Sequence, residues 1–168
     1  EIKFIAKKER MSFHDVIGVL KEAGLMSIPG GGAEILSDSI RKKVLAYPTA
    51  SPEEGIDIMR QAHRHGMRTT ATMMYGMGED LAARVEHFQR IRDLQDETGG
   101  FTAFISWTYQ DEHTALQGIP EVYADEYLKT LAVSRLFVDN IQHLQSSWVT
   151  QGKKIRQAGL AFAADDMG

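Results

Sequence analysis

Cysteine is absent from all 168 residues. That excludes disulfides, thiolate nucleophiles and cysteine-ligated metals within this chain. Long apolar runs are also missing. None nears the roughly 20 residues that a membrane-crossing helix requires, so no membrane partner is expected. Basic excess is lacking, with 19 Lys and Arg against 23 Asp and Glu and a net charge of −4. No basic stripe carries interleaved aromatics, so no nucleic-acid partner is expected either. The densest basic stretch, "HRHGMR" from His63 to Arg68, reads as a helix end, where cations complement the dipole. No phosphate-loop motif occurs, because "GGGAE" lacks the lysine and the spacing. The six histidines form no metal pattern. His63 and His65 cannot share a helical face, His14 and His87 read as surface or hydrogen-bonded helix residues, and His113 falls in a loop. His143 reads as a packed strand residue.

The composition that remains is 43% hydrophobic and 25% charged, that of a globular chain with a core, at the size of one domain. Short apolar runs alternate with amphipathic stretches. Strands are predicted at 1–6, 25–29, 67–76, 101–110, 140–147 and 160–166. Between them, Ser12 caps a helix ending near Gly24. A short helix and loop follow Leu36, and "SPEEGIDIMRQAHRHG" carries a capping box of Ser51 and Glu54 with Pro52 in the first turn. The helix over 79–100 has a predicted inner stripe of Leu81, Val85, Phe88, Ile91 and Leu94. Further helices are expected over 121–138 and 149–159. Six strand–helix units in strict alternation imply an α/β fold with a parallel sheet. They suit a (β/α)8 barrel of eight units that is incomplete here. A doubly wound open sheet is the competing architecture.

In either architecture ligands sit beyond the carboxyl ends of the strands. Those positions hold Pro29, Gly30, Gly31, Gly32 and Glu34; then Tyr75 and Glu79; then Trp107, Tyr109 and Gln110; then Gln145 and Trp148; then Asp165 and Asp166. Aromatics, amides and carboxylates on one rim suit an organic ligand with rings and hydroxyls. Each also has a plain structural reading: a tight turn for the glycines, helix-start chemistry for Glu79, core filling for Trp107 and Tyr109, and solvated surface for the two aspartates.

Four stretches, "SIPGGGAEIL", "TTATMMYG", "LQDETGGFTAFISWTYQ" and "LAVSRLFVDNIQHLQSSWVTQG", resemble the futalosine-route (menaquinone pathway) branch of the radical S-adenosylmethionine enzymes. The resemblance runs over nearly the whole chain and implies a (β/α)8 barrel. "FISWTYQ" looks most like the branch that cyclises dehypoxanthine futalosine. Aminofutalosine synthase and the deazaflavin-forming synthase are its sisters. The resemblance implies S-adenosylmethionine and a [4Fe–4S] cluster as cofactors, an electron donor as partner and a cytoplasmic location. It also implies hydrogen abstraction at the ribose C4′, then addition to the benzoate ring. On that basis Pro29, Gly30, Gly31, Gly32 and Glu34 are expected to meet the cofactor. Tyr75, Trp107, Tyr109, Gln110, Gln145 and Trp148 are expected to hold substrate, and one of Glu79, Asp165 or Asp166 to take the departing proton. The chain departs from the family at Met77, where relatives carry histidine, and at His113, where asparagine is commoner. The largest departure is the missing CxxxCxxC cluster motif. With Glu1 in place of methionine, the expectation is a segment of 1–168 that lacks the cluster-binding amino-terminal units, inactive alone.

Overall fold

The fold is taken from a computed structural model, which describes residues 1–30, 34–44, 49–112, 114 and 117–167. Gly31, Gly32 and His113 lie outside the described residues.

The chain opens with a helix where a strand was predicted. The stretch "EIKFIA" satisfies both periodicities, because Ile2, Phe4 and Ala6 alternate while Ile2, Ile5 and Ala6 share a helical face. The helical face prevails: α1 (Ile2–Glu9) buries Ala6 and leaves Phe4 69% exposed. Arg10 then caps it in the left-handed conformation. Helix α2 (Phe13–Glu22) starts at Ser12, whose hydroxyl accepts from the Asp15 amide. A short α3 (Asp38–Val44) precedes α4 (Pro52–Arg64), whose Ser51–Glu54 capping box forms as predicted.

Strands β1 (Thr69–Tyr75), β2 (Phe101–Thr108) and β3 (His143–Ser146) form one parallel sheet in that order. Thr70 pairs with Ala103 and Met74 with Trp107; Ala103 pairs in turn with His143 and Ile105 with Gln145. Helix α5 (Leu81–Thr98) crosses from β1 to β2, and α6 (Ala124–Phe137) from β2 to β3. After β3 comes α7 (Trp148–Gly159), broken at Gly152, where φ is 77°.

The remaining two expected strands are reduced to flanking segments. Residues 25–29 build no ladder with β1. Instead the Ser27 hydroxyl donates to Arg68 O, the Gly30 amide to Thr70 Oγ1, and the Thr72 hydroxyl to Gly30 O. Proline at 29 has no N–H to give, and the threonine hydroxyls supply the missing ladder. On the far side Leu160–Phe162 is a 3-10 turn, not strand. Only Asp166 then bridges in parallel to Gln145. Closure into a barrel is not shown by these residues.

One side of the sheet carries the core. Ala71, Met73, Tyr75, Phe104 and Leu144 pack on Phe88, Ile91 and Leu94 of α5 and on Tyr127 and Leu131 of α6. The inner stripe of α5 lies further round than predicted: Leu81 is 73% and Val85 44% exposed, while Arg84, His87 and Gln95 are buried. Polar residues displace apolar ones there because each meets backbone or charge. Gln95, for example, accepts from the Phe101 amide at 2.8 Å and donates to Phe101 O at 3.1 Å.

Gly30 is required by proximity. A Cβ there would lie 2.5 Å from Thr70 O and 2.9 Å from Thr72 N. Gly30→Ala is expected to cost about 1–3 kcal/mol through overpacking. Gly55→Ala, inside α4 with only Leu36 at 4.0 Å, is expected to stabilise by about 0.5–1 kcal/mol. Urea midpoints of the two variants should move in opposite directions.

Candidate functional site

The residues of β1 that do not face the helices are Thr70, Thr72 and Met74. Their partners in register are Ala103, Ile105 and Trp107, and beyond those His143 and Gln145. Thr70, Met74, Ile105, Trp107 and Gln145 are half-buried, which leaves this face open toward the carboxyl end. It is the surface on which the predicted rim residues are sorted.

Trp107 and Gln145 lie on it. Trp148 begins α7 just past β3 and is 44% exposed. Tyr109 follows β2, gives its amide to Tyr75 O at 2.8 Å and bonds its hydroxyl to Thr114. Its ring packs in an apolar cluster with Ile35, Ile40, Met77 and Ala83. Gln110 is exposed at the same end.

Tyr75 does not reach this face. It is fully buried against α5 and α6, with the Arg84 guanidinium 4.4 Å above its ring. Burial raises its pKa, so it stays a neutral phenol. The expectation that Tyr75 meets substrate is corrected by strand parity: both sides of β1 carry threonine and methionine, and the odd residues turn toward the helices.

Glu79 is wholly inside, with both oxygens engaged. Oε1 accepts from the Gly76 amide and Arg84 Nε, and Oε2 from the Met77 amide, each at 2.8 Å. Gly76 and Gly78 adopt φ of 90° and 88°, values that suit glycine. The carboxylate thus fixes the β1–α5 loop. Arg84, also buried, continues to Glu126 at 2.7 Å. Met77, 6% exposed, belongs to the apolar cluster beneath the loop.

Asp165 lies level with the amino half of β3, away from the carboxyl ends. It accepts from the Leu144 amide at 2.7 Å and pairs with His143 at 3.2 Å and Arg135 at 3.5 Å. The Leu144 amide is the leading interaction that lowers its pKa against the opposing effect of desolvation. His143 is thereby a half-exposed residue hydrogen-bonded to Asp165, not the packed residue expected. Asp166 sits further along, where its carbonyl accepts from the Ser146 amide at 2.9 Å. It forms no ion pair among the described residues.

Pro29, Gly30 and Glu34 line a cavity of about 590 Å³ between α1, α4 and β1, to which Thr70 and Thr72 also contribute. Glu34 pairs there with the buried Arg41 at 3.2 Å, and its carbonyl accepts from the Met74 amide. The space beside Gly30 is filled by the backbone of β1 itself.

Sequence reasoning missed His87, Arg84 and Gln151. His87 is fully buried, accepting from the Leu36 amide at 3.1 Å. It ties the exit of the glycine segment to α5. Arg84 carried a signal, a cation four residues after Asp80 at a helix start, yet a buried arginine cannot be told from a solvated one by spacing. Gln151 donates to the buried Thr108 hydroxyl at 2.8 Å.

Among the described residues, no group of three or more His, Asp or Glu could hold a metal, and no helix is long and apolar enough to cross a membrane. Residues 98–168 match the CofH/MqnC C-terminal region. The whole chain is 43% identical to a cyclic dehypoxanthine futalosine synthase of Streptomyces coelicolor and 45% to one of Halalkalibacterium halodurans. It spans 42% and 45% of those two proteins, under half the length of each. Over 99% of the chain it is 39% identical to an aminodeoxyfutalosine synthase of Thermus thermophilus, of which it spans 46%. In fold it is similar to HydG, a maturase of the [FeFe]-hydrogenase, with a TM-score of 0.70 at 16% identity over 93% of this chain and 35% of that one. The resemblance read from the four sequence stretches is borne out.

Two stability outcomes follow from the buried polar groups. Arg84→Met strands the Glu79 carboxylate and should cost about 3–5 kcal/mol, read from thermal and urea unfolding. His63, bridging Thr98 and Thr69, has its pKa lowered to about 4, chiefly by burial, and His87 to about 3 for the same reason. The unfolded chain takes up protons near 6.5 while the native imidazoles stay neutral, so their stabilisation is full above that pH and declines below it. The urea midpoint should fall between pH 7 and 4.5, and His87→Phe should flatten that slope.

Proposed function

We propose that these residues are part of a longer protein that acts as a cyclic dehypoxanthine futalosine synthase in the cytoplasm. The observation that carries the reading is the end-to-end identity of 43% and 45% to two proteins of that name. In this reading the three parallel strands and their two flanking segments form one arc of a (β/α)8 barrel, and the open face turns inward. The HydG likeness supports the fold alone.

The chain has no cysteine, so these residues do not fit a [4Fe–4S] cluster, and nothing in the reaction is assigned to them through it. S-adenosylmethionine, when bound, supplies the radical that removes hydrogen from the substrate's ribose C4′. Glu34 is a fitting partner for an ammonium or hydroxyl group of that cofactor, at the wall formed by Pro29 and Gly30. Gly31 and Gly32 retain the same proposed role. Trp107 and Gln145, on the open face, hold the substrate's ring and sugar, with Tyr109, Gln110 and Trp148 at the rim. The chain's work is to orient the ring over the sugar and exclude water while the new carbon–carbon bond forms.

A proton leaves after cyclisation. Of the three carboxylates weighed, Glu79 spends its oxygens on the loop and Asp165 is ion-paired lower on the sheet. Asp166, which gives Oδ1 to the adjacent Met167 amide and forms no ion pair among the described residues, is the acceptor we assign. The cyclised product radical also gives up one electron to an acceptor, while a separate electron donor supplies the electron that cleavage of S-adenosylmethionine would consume.

The test uses the complete protein, anaerobically, with S-adenosylmethionine, a reductant and dehypoxanthine futalosine. Cyclic product is expected; aminodeoxyfutalosine formed instead from that sister enzyme's own substrates would overturn the assignment. Asp166→Asn should lower kcat by at least about a hundredfold, the scale of general-base catalysis, with the KM little changed. The 168-residue chain alone should contain no iron and turn over nothing.

A further inference from the structure

Three residues other than glycine have positive φ among the described residues. Arg10 and Ala163 follow helices, which commonly end in the left-handed conformation. Glu34, with φ of 40°, belongs to no helix. A side chain in that region is strained and persists only where its surroundings enforce it. Two contacts do so here. The Glu34 carbonyl accepts from the Met74 amide at 2.8 Å, which fixes the backbone to β1. Its Oε2 accepts from Arg41 Nη1 at 3.2 Å, which fixes the carboxylate.

Arg41 is held in turn. Its Nη2 donates to Thr49 Oγ1 and to Ala50 O, each at 2.8 Å. Those two residues lead directly into Ser51, the cap of α4. The Arg41 side chain is 6% exposed and that of Glu34 21%. Glu34 lines the cavity together with Gly30, Thr70 and Thr72, and Arg41 is not among the described residues that line it. Glu34 Oε1 has no hydrogen-bond partner among the described residues. The guanidinium thus holds the carboxylate from behind, and the second oxygen is left to the cavity.

We propose that Arg41 is a positioning residue that acts through Glu34, aiming one carboxylate oxygen at an amino group bound in the cavity. The identity of that group, the amino group of S-adenosylmethionine, rests on the proposed function. By charge alone Arg41 would repel an ammonium. What it contributes is direction. Its planar fork meets Glu34, Thr49 and Ala50 at once, which a lysine ammonium on a flexible stem cannot reproduce. A carboxylate oriented in advance also loses less side-chain freedom when the ligand arrives.

The experiment measures binding to the complete protein by calorimetry, with two probes. One is S-adenosylhomocysteine. The other is 5′-S-(3-carboxypropyl)-5′-thioadenosine, which lacks only the amino group. A hydrogen bond to a charged group corresponds to at least about tenfold in affinity, so wild-type protein should prefer the first probe by that factor. Glu34→Gln should cut the preference to about threefold or less, and so should Arg41→Lys, which keeps the charge and removes the fork. Adding Arg41→Lys to Glu34→Gln should change the preference no further, because one residue acts through the other. Where Arg41→Lys fails to fold, Thr49→Val, which removes one of the anchors of Arg41, should lower the preference in the same direction.

A structural role alone would weaken both probes alike and leave the preference intact. That result in Arg41→Lys, with Glu34→Gln still losing the preference, would overturn the role of Arg41 and leave the Glu34 contact standing. Equal binding of the two probes by wild-type protein would overturn both. Failure of the complete protein to cyclise dehypoxanthine futalosine is a separate result: it removes the reaction assigned above, while the probe preferences still decide the role of Arg41.

Discussion

A parallel sheet must have both of its faces covered, and that demand organises this chain. Helices α5 and α6 cover one face with Phe88, Ile91, Leu94, Tyr127 and Leu131. The other face carries Thr70, Thr72, Met74, Ile105, Trp107 and Gln145. It is neither a sealed core nor ordinary surface. A solvent-facing side of an antiparallel sheet would be polar throughout, whereas this one mixes threonine, methionine, isoleucine and tryptophan. The mixture suits partial cover by an organic ligand of matching character. The proposed site is thus the side of the sheet that the helices leave uncovered.

The edges follow the same logic with different means. β1 is flanked by a segment that cannot give it a regular ladder, because proline sits at 29 and the backbone at Gly30 presses to within a Cβ's width of Thr70 and Thr72. Threonine hydroxyls carry the bonding instead. Glu34 rejoins β1 at Met74, and His87 receives the Leu36 amide immediately beyond. The described ends of the glycine segment are therefore anchored to a strand and a helix of the core. Any ligand contact at Glu34 inherits the position of that core.

How much of this was legible in the sequence depends on whether a single residue or a relation decides it. The β1, β2 and β3 runs were legible because β-branched and apolar residues cluster between turn signals, and α4 because Ser51, Pro52 and Glu54 form a local grammar. Residues 1–6 were misread because two periods fit six residues equally well. Tyr75 was misread for a deeper reason: when both faces of a strand carry the same mixture of threonine and methionine, composition does not reveal which parity faces the helices. Glu79 and Asp165 looked alike as rim carboxylates. Their difference lies in partners distant in space: Arg84 and two loop amides for one, Arg135 and His143 for the other.

That last contrast bears on how such a mouth keeps its shape. A carboxylate placed to react must keep a lone pair facing its target, yet a loop rich in glycine needs a carboxylate to hold it. One group cannot do both, because each oxygen given to an amide is withdrawn from chemistry. This chain separates the duties. Glu79 sits inside and spends both oxygens on Gly76, Met77 and Arg84. Gln110 spends both of its N–H groups on Thr108 and Tyr109, and Gln151 spends one on Thr108. In both cases bonds made behind the rim limit and orient the polar groups left on it.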